Sequence, residues 1–226
     1  MTAYCVFSRS SPIMPYTYKY PRPMVTADTV VFGVRGDALE LLLVERKHEP
    51  FAGHWALPGG FVDMDEDLED AARRELAEET RLTGLRLGQF GAFGTPGRDP
   101  RGRTITAAYM ALTVSAAHEP KGGDDAAHAR WHPMADLPPL AFDHGGIITY
   151  AIAQLKEWTR CKGVGAGVLE QPFSLTSLAR LYTLIRGEPV APDALAEHLR
   201  FMGIAEAVPD DPDGRYAFVP AVLAPV

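Results

Sequence analysis

Residues 60–82 read GFVDMDEDLEDAARRELAEETRL, and the acids near the end of this stretch carry the chemistry. Glu78 and Glu79 follow Glu75 by three and four positions. On a helix turning about 100° per residue, the three point in nearly one direction. Carboxylates so placed repel one another. A hard divalent cation such as Mg²⁺ or Mn²⁺ turns that repulsion into binding, because it prefers carboxylate oxygens. A solvated acidic face is the ordinary alternative for a charge run. Neighbouring residues support the helix: Asp67 is a good N-cap, and Glu69 and Asp70 suit the positive end of the helix dipole. Leu68, Ala72 and Leu76 recur every four residues and supply an apolar stripe to pack on a sheet. Just upstream, Leu57-Pro58-Gly59-Gly60 reads as a turn where backbone can come close to a ligand, glycine having no Cβ.

The spacing is specific. Gly60 is followed after five residues by Glu66, and after seven more by Arg74-Glu75-Leu76-Ala77-Glu78-Glu79. This pattern resembles the Nudix box, the signature of a family that cleaves nucleoside diphosphates linked to another group. One position departs: the family usually has Gly two residues after the last Glu, where this chain has Arg81, and Gly84 follows as a residue able to end the helix left-handed. The resemblance implies that Glu75 and Glu79 bind the metal, with Glu78 as third ligand or water-orienting base. It also implies that a carbonyl of the turn, here Gly59, joins them. Gly60, Glu66 and Arg74 then take structural roles, Arg74 pairing with Glu66 to hold the loop. The implied cofactor is Mg²⁺, with Mn²⁺ as the alternative.

Length and composition set limits. At 226 residues the chain holds one full domain and a smaller one, and its net charge of −7 weighs against a polyanion partner. Cys5 and Cys161 are too few for a disulfide framework, which fits a reducing cytoplasm. No apolar run reaches the roughly 18 residues that crossing a bilayer requires, so no membrane partner is expected. The N-terminal residues have no signal-peptide character.

Along the chain, Val- and Leu-rich runs over 25–34 and 39–45, joined by Arg35-Gly36-Asp37, predict a hairpin. Residues 55–62 read as a short strand leading into the box helix. Further strands are expected over 86–93, 104–115 and 129–132, and a helix over 142–160 follows the break at Leu137-Pro138-Pro139. The expected fold class is α/β: a Nudix sandwich with a mixed sheet and a helix on each face. It is bounded as an N-terminal tail over 1–21 and a Nudix domain over 22–160. A glycine-rich linker over 161–173 leads to a domain over 174–226. There, helical patterns over 175–185 and 193–202 and apolar runs over 204–208 and 216–219 outline a winged helix.

For substrate, the loop from Gly94 to Arg103 brings Arg98, Arg101 and Arg103 among glycines and prolines, and arginine's planar fork suits phosphate. Lys47 and Trp55 lie close enough in sequence to the site to touch phosphate and a base, though Trp55 reads equally well as core. Residues 94–111, 122–127 and 137–144 look like ADP-ribose pyrophosphatases and their relatives. The implied reaction is metal-assisted attack of water on the diphosphate of ADP-ribose, giving AMP and ribose 5-phosphate. Candidate bases are Glu78, Asp124, Asp125 and Glu119, and more weakly His144.

A rival reading comes from the Nudix-related transcriptional repressors of NAD metabolism, which carry a winged helix after a Nudix-like sensor. This chain resembles them over nearly its full length, including Leu140-Ala141-Phe142-Asp143-His144. In that reading ADP-ribose is a signal and DNA a partner. Against it, residues 174–226 carry four arginines and seven acids, a net charge of −3. A homodimer is expected, and it would gather Arg180 and Arg186 from two copies into one patch.

Overall fold

The structure is a computed structural model, and it describes residues 18–123 and 126–224. Strands β1 (Met24–Arg35) and β2 (Ala38–Arg46) form the hairpin expected from the sequence. Its tight turn places Gly36 at φ 59°, a conformation glycine adopts without steric cost. Next along the chain come β3 (Trp55–Ala56), β4 (Gly59–Phe61) and helix α1 (Leu68–Thr80). After α1 come β5 (Gly88–Phe93), β6 (Thr104–Val114), β7 (Ala126–Pro133) and helix α2 (His144–Cys161). The sheet runs β3-β2-β1-β6-β5, with β4 added on β1 and β7 on β2. β1 and β6 are parallel in register from Met24–Thr104 to Val34–Val114, while the other pairs are antiparallel, so the sheet is mixed.

β1 is central and covered on both faces, which is why its sequence is a nearly continuous apolar run. Its side chains alternate between two packing layers. Ala27 and Val31 meet Ala71, Ala72 and Leu76 of α1. Val30 and Phe32 meet Ile147, Ile148, Ala151 and Leu155 of α2. The sandwich with one helix on each face is therefore the observed fold.

The structure corrects two local expectations. Residues 55–62 do not form one strand. They break at Leu57-Pro58, where the Pro58 carbonyl accepts from Thr29 N at 2.8 Å and the Leu57 amide turns to His144, so β3 pairs with β2 and β4 with β1. And helix α1 ends on Arg81, not on Gly84: Arg81 adopts φ 65° and ψ 9°, with its amide on Ala77 O. A non-glycine residue there costs about 1 kcal/mol. The Thr80 hydroxyl on Leu76 O and the Lys121 amide on Thr80 O satisfy the last turn.

The C-terminal part consists of α3 (Leu175–Arg186), α4 (Pro192–Met202) and the hairpin β8 (Ala205–Ala207) with β9 (Tyr216–Phe218). Ser174 caps α3, and Gly187 and Gly203 end the two helices left-handed. Leu178, Tyr182, Ile185, Leu199 and Phe218 join the same apolar cluster as Leu155 and Trp158 of α2. Residues 161–173 pack into this unit. Val164 is fully buried, and Phe173 exchanges two 2.8 Å backbone hydrogen bonds with Tyr216, widening the β8–β9 ribbon.

Candidate active site

α1 delivers its acids to one end of the sheet. Asp67 caps the helix by accepting from Glu69 N, which fixes where the first turn begins. Two turns later Arg74 grips Glu66 with Nε and Nη2 at 2.7 and 2.8 Å, and Nη2 also donates to Phe61 O at 3.0 Å. This bidentate pair closes the loop between β4 and α1, and with its carboxylates it holds the guanidinium well above arginine's usual range. Arg74 Nη1 donates to Glu75 at 2.7 Å and reaches Glu78 at 3.4 Å. Burial pushes the Glu75 carboxyl up, and Arg74 opposes that rise.

The turn before α1 meets these carboxylates. The amide of Gly59 donates to Glu79 Oε2 at 3.0 Å. A Cβ added at Gly60 would fall on the Glu75 carboxylate, so only glycine leaves that acid its place. A Cβ at Gly123 would strike the carbonyl of Glu78, which puts the loop after residue 118 against the backbone at the C-terminal end of α1. Lys47 donates to Gly123 O at 2.9 Å. Among the described residues no three Asp, Glu, His or Cys side chains close on a common point for a metal ion. The donors along this face are nonetheless all hard oxygens: Glu75, Glu78, Glu79 and the Gly59 carbonyl. They suit a hard divalent cation in type, and the partly buried Glu75 already has a positive neighbour in Arg74.

Behind the turn lies a polar group that sequence reasoning did not assemble. His144 is buried, and its Nδ1 accepts from Leu57 N at 2.9 Å. Asp28, buried on β1, packs directly against Gly59. Arg98 donates to both oxygens of Asp143 at 2.9 and 2.7 Å and lies 3.7 Å from Asp28. One signal for Asp28 was available: a lone acid inside the apolar run 25–34 is the kind of buried polar residue that calls for a partner.

These contacts correct part of the substrate reading. The Arg98 side chain is only 5% exposed and is turned inward onto two acids, so it braces the loop and does not face a phosphate. Arg101 remains exposed, but it is paired with Asp99, whose carboxyl it holds below its usual range against the opposing effect of burial. Its guanidinium lies over the rings of Phe61 and Phe142. Arg103 is exposed and donates to Thr104 O. Trp55 is half-buried and packs edge-on against His132 at 4.3 Å, and it also touches the main core. The buried His144 is committed to Leu57 and is not placed as a base. Glu119 is exposed on the loop after β6, and Asp124 and Asp125 lie outside the described residues.

A closed sandwich, a capped box helix with its acids at the β4 turn, and an Arg74–Glu66 clamp define a class of domain. A family profile described as NUDIX domain matches residues 22–151, more than half of the chain, and the chain belongs to that family. An ADPR responsive transcriptional repressor from Acinetobacter baylyi is 33% identical over 191 residues, covering 83% of this chain and 76% of the relative. An ADP-ribose pyrophosphatase from Methanocaldococcus jannaschii is 40% identical over 129 residues, 57% of this chain and 73% of that protein. The crystal structure of Shewanella oneidensis NrtR complexed with a 27mer DNA superposes with a TM-score of 0.70 at 30% identity, over 88% of this chain and 94% of its own. Among the described residues no helix is long and apolar enough to cross a membrane.

Proposed function

We infer that the chain is a divalent-metal-dependent Nudix pyrophosphohydrolase whose substrate is ADP-ribose, cleaved by water to AMP and ribose 5-phosphate. One observation carries this reading: the complete set of Glu75, Glu78 and Glu79 on one helix face, against a turn whose Gly60 leaves room for Glu75 and whose Gly59 amide orients Glu79. Glu75, Glu79 and the Gly59 carbonyl, with Glu78 as the remaining carboxylate, are the residues that would hold Mg²⁺, or Mn²⁺ in its place. When bound, such an ion neutralises the diphosphate and acidifies a water. Arg74 holds Glu75 and the loop in place, so the helix face is set before substrate arrives. Glu78, about half exposed, is the acid on the helix that would take a proton from the attacking water. Arg74 is the cation already on this face, and Arg101, exposed over the rings of Phe61 and Phe142, and Lys47, on the carbonyl of Gly123, are the further positive groups offered to a diphosphate. The pyrophosphatase relative supports the substrate assignment. Incubation with ADP-ribose and Mg²⁺, with and without chelator, tests it: AMP should appear only when the metal is free to bind.

A second reading has its own support. The repressor relative and the DNA-bound structure align across both the sandwich and the C-terminal unit. In that reading ADP-ribose binds as a signal and α3, α4 and the β8–β9 ribbon contact DNA. The side chains favour it less. Arg180 is paired with Asp37, Arg186 is turned onto Thr159, and Arg215 is held by Asp211. The ribbon's turn carries Asp210, Asp211 and Asp213. A homodimer placing two C-terminal units side by side belongs to this second reading.

A further inference from the structure

The Leu57–Gly60 turn presents backbone to the carboxylates, and its conformation is dictated from behind. The Leu57 amide ends on the Nδ1 of His144, 87 positions away in sequence, at 2.9 Å. The Pro58 carbonyl accepts from Thr29 N at 2.8 Å, and Gly59 lies flat against Asp28. Three consecutive residues are thereby fixed, and the next polar group along, the Gly59 amide, is the one that meets Glu79.

His144 is itself held in place. It is the first residue of α2, and the residue two before it, Phe142, takes φ 53°, a left-handed conformation that a bulky side chain adopts only when its surroundings impose it. Between them, Asp143 is gripped through both oxygens by Arg98, which also approaches Asp28. Asp28 thus touches the turn on one side and Arg98 on the other, so the start of α2 and the turn share one buried framework.

We propose that His144 is a positioning residue for the cation site: by accepting the Leu57 N–H it sets the turn that gives the Gly59 amide to Glu79 and aims the Gly59 carbonyl. This rests on the reading of the α1 acids as a divalent-cation site, but it assigns a role to a residue outside the box and on the opposite face of the sheet. The role requires an acceptor at the Nδ1 position and nothing else of the imidazole. Asparagine can supply one through its side-chain carbonyl, and leucine cannot. Groups that orient metal ligands from behind typically change affinity by about 10–100-fold when removed.

The test is Mn²⁺ binding to the full chain, followed by electron paramagnetic resonance, for wild type, His144→Leu and His144→Asn, with thermal melts confirming folding. His144→Leu should weaken Mn²⁺ at least about tenfold while His144→Asn stays within about threefold of wild type. Equal affinity of His144→Leu and wild type overturns the proposal, as does an equal loss in both variants. Should His144→Leu fail to fold, amide exchange at Leu57 in the wild-type protein decides. Slow exchange is expected, and exchange as fast as an open loop overturns the proposal. If Mn²⁺ binds and responds to His144 in this way but ADP-ribose is not hydrolysed, the proposed function fails and the positioning role stands. If wild type binds no Mn²⁺, both fall.

Discussion

The amide of Gly59 donates a 3.0 Å hydrogen bond to Oε2 of Glu79, joining the turn before the box helix to its last acid. Glu79→Gln removes the charge and keeps a group that can still accept from this amide. The fold should therefore survive, with an unchanged far-ultraviolet spectrum and a melting temperature close to wild type. Turnover should fall by roughly a thousandfold or more, since the lost charge is the one a metal would use. Near-wild-type kcat in this variant would remove Glu79 from the metal set.

Arg98 and Arg101 should separate cleanly. Arg98→Ala leaves Asp143 and the buried Asp28 without their cation, which should cost about 2–4 kcal/mol, a little below the usual figure for a fully buried pair because Asp143 is one-third exposed. Arg101→Ala removes an exposed group and should cost little stability but raise KM for ADP-ribose more than it lowers kcat. Urea unfolding and steady-state kinetics on both variants check this. Equal stability of Arg98→Ala and wild type contradicts the bracing role.

The box helix was legible because everything that defines it is local: cap, apolar stripe and acids lie within 23 consecutive residues. The brace behind it was not. His144 and Leu57, or Arg98 and Asp143, meet only once β1 and α2 are packed, and no spacing in the sequence announces that. Arg98 was misread because arginines among glycines and prolines look solvent-facing, whereas its acid partners come from β1 and from the start of α2. Arg81 shows the converse: the helix exit keeps its left-handed geometry without the expected glycine, since neighbouring hydrogen bonds satisfy the end.

Stability should decline on mild acidification. Burial holds the His144 imidazole below its ordinary range; Asp28 and Asp143 favour its proton, and Arg98 and Arg46 oppose it. His132 is lowered too, by burial and by Arg130, with Asp136 opposing. For a base whose folded pKa is depressed, the unfolded chain takes up protons that the folded chain refuses. The stability is therefore full above about pH 6.5 and is lost as pH falls below it. Urea midpoints at pH 7.5 and 5.5 should show the drop, and His144→Asn should reduce it. An unchanged midpoint in wild type contradicts the assignment.

The C-terminal unit should bind DNA weakly. Three of its four arginines already have partners within the chain, and few remain to release counterions from phosphates. Fluorescence anisotropy against the chain's own upstream DNA, at about 100 mM salt, should give only micromolar, salt-sensitive binding. Nanomolar, sequence-selective binding instead supports the regulator reading.

The most direct measurement is AMP release from ADP-ribose by the purified full chain, with Mg²⁺ and with Mg²⁺ plus excess chelator. Metal-dependent formation of AMP and ribose 5-phosphate in equal amounts, abolished by chelator and by Glu79→Gln, is the predicted result. Tight binding of ADP-ribose with no AMP formed at any Mg²⁺ or Mn²⁺ concentration would contradict it.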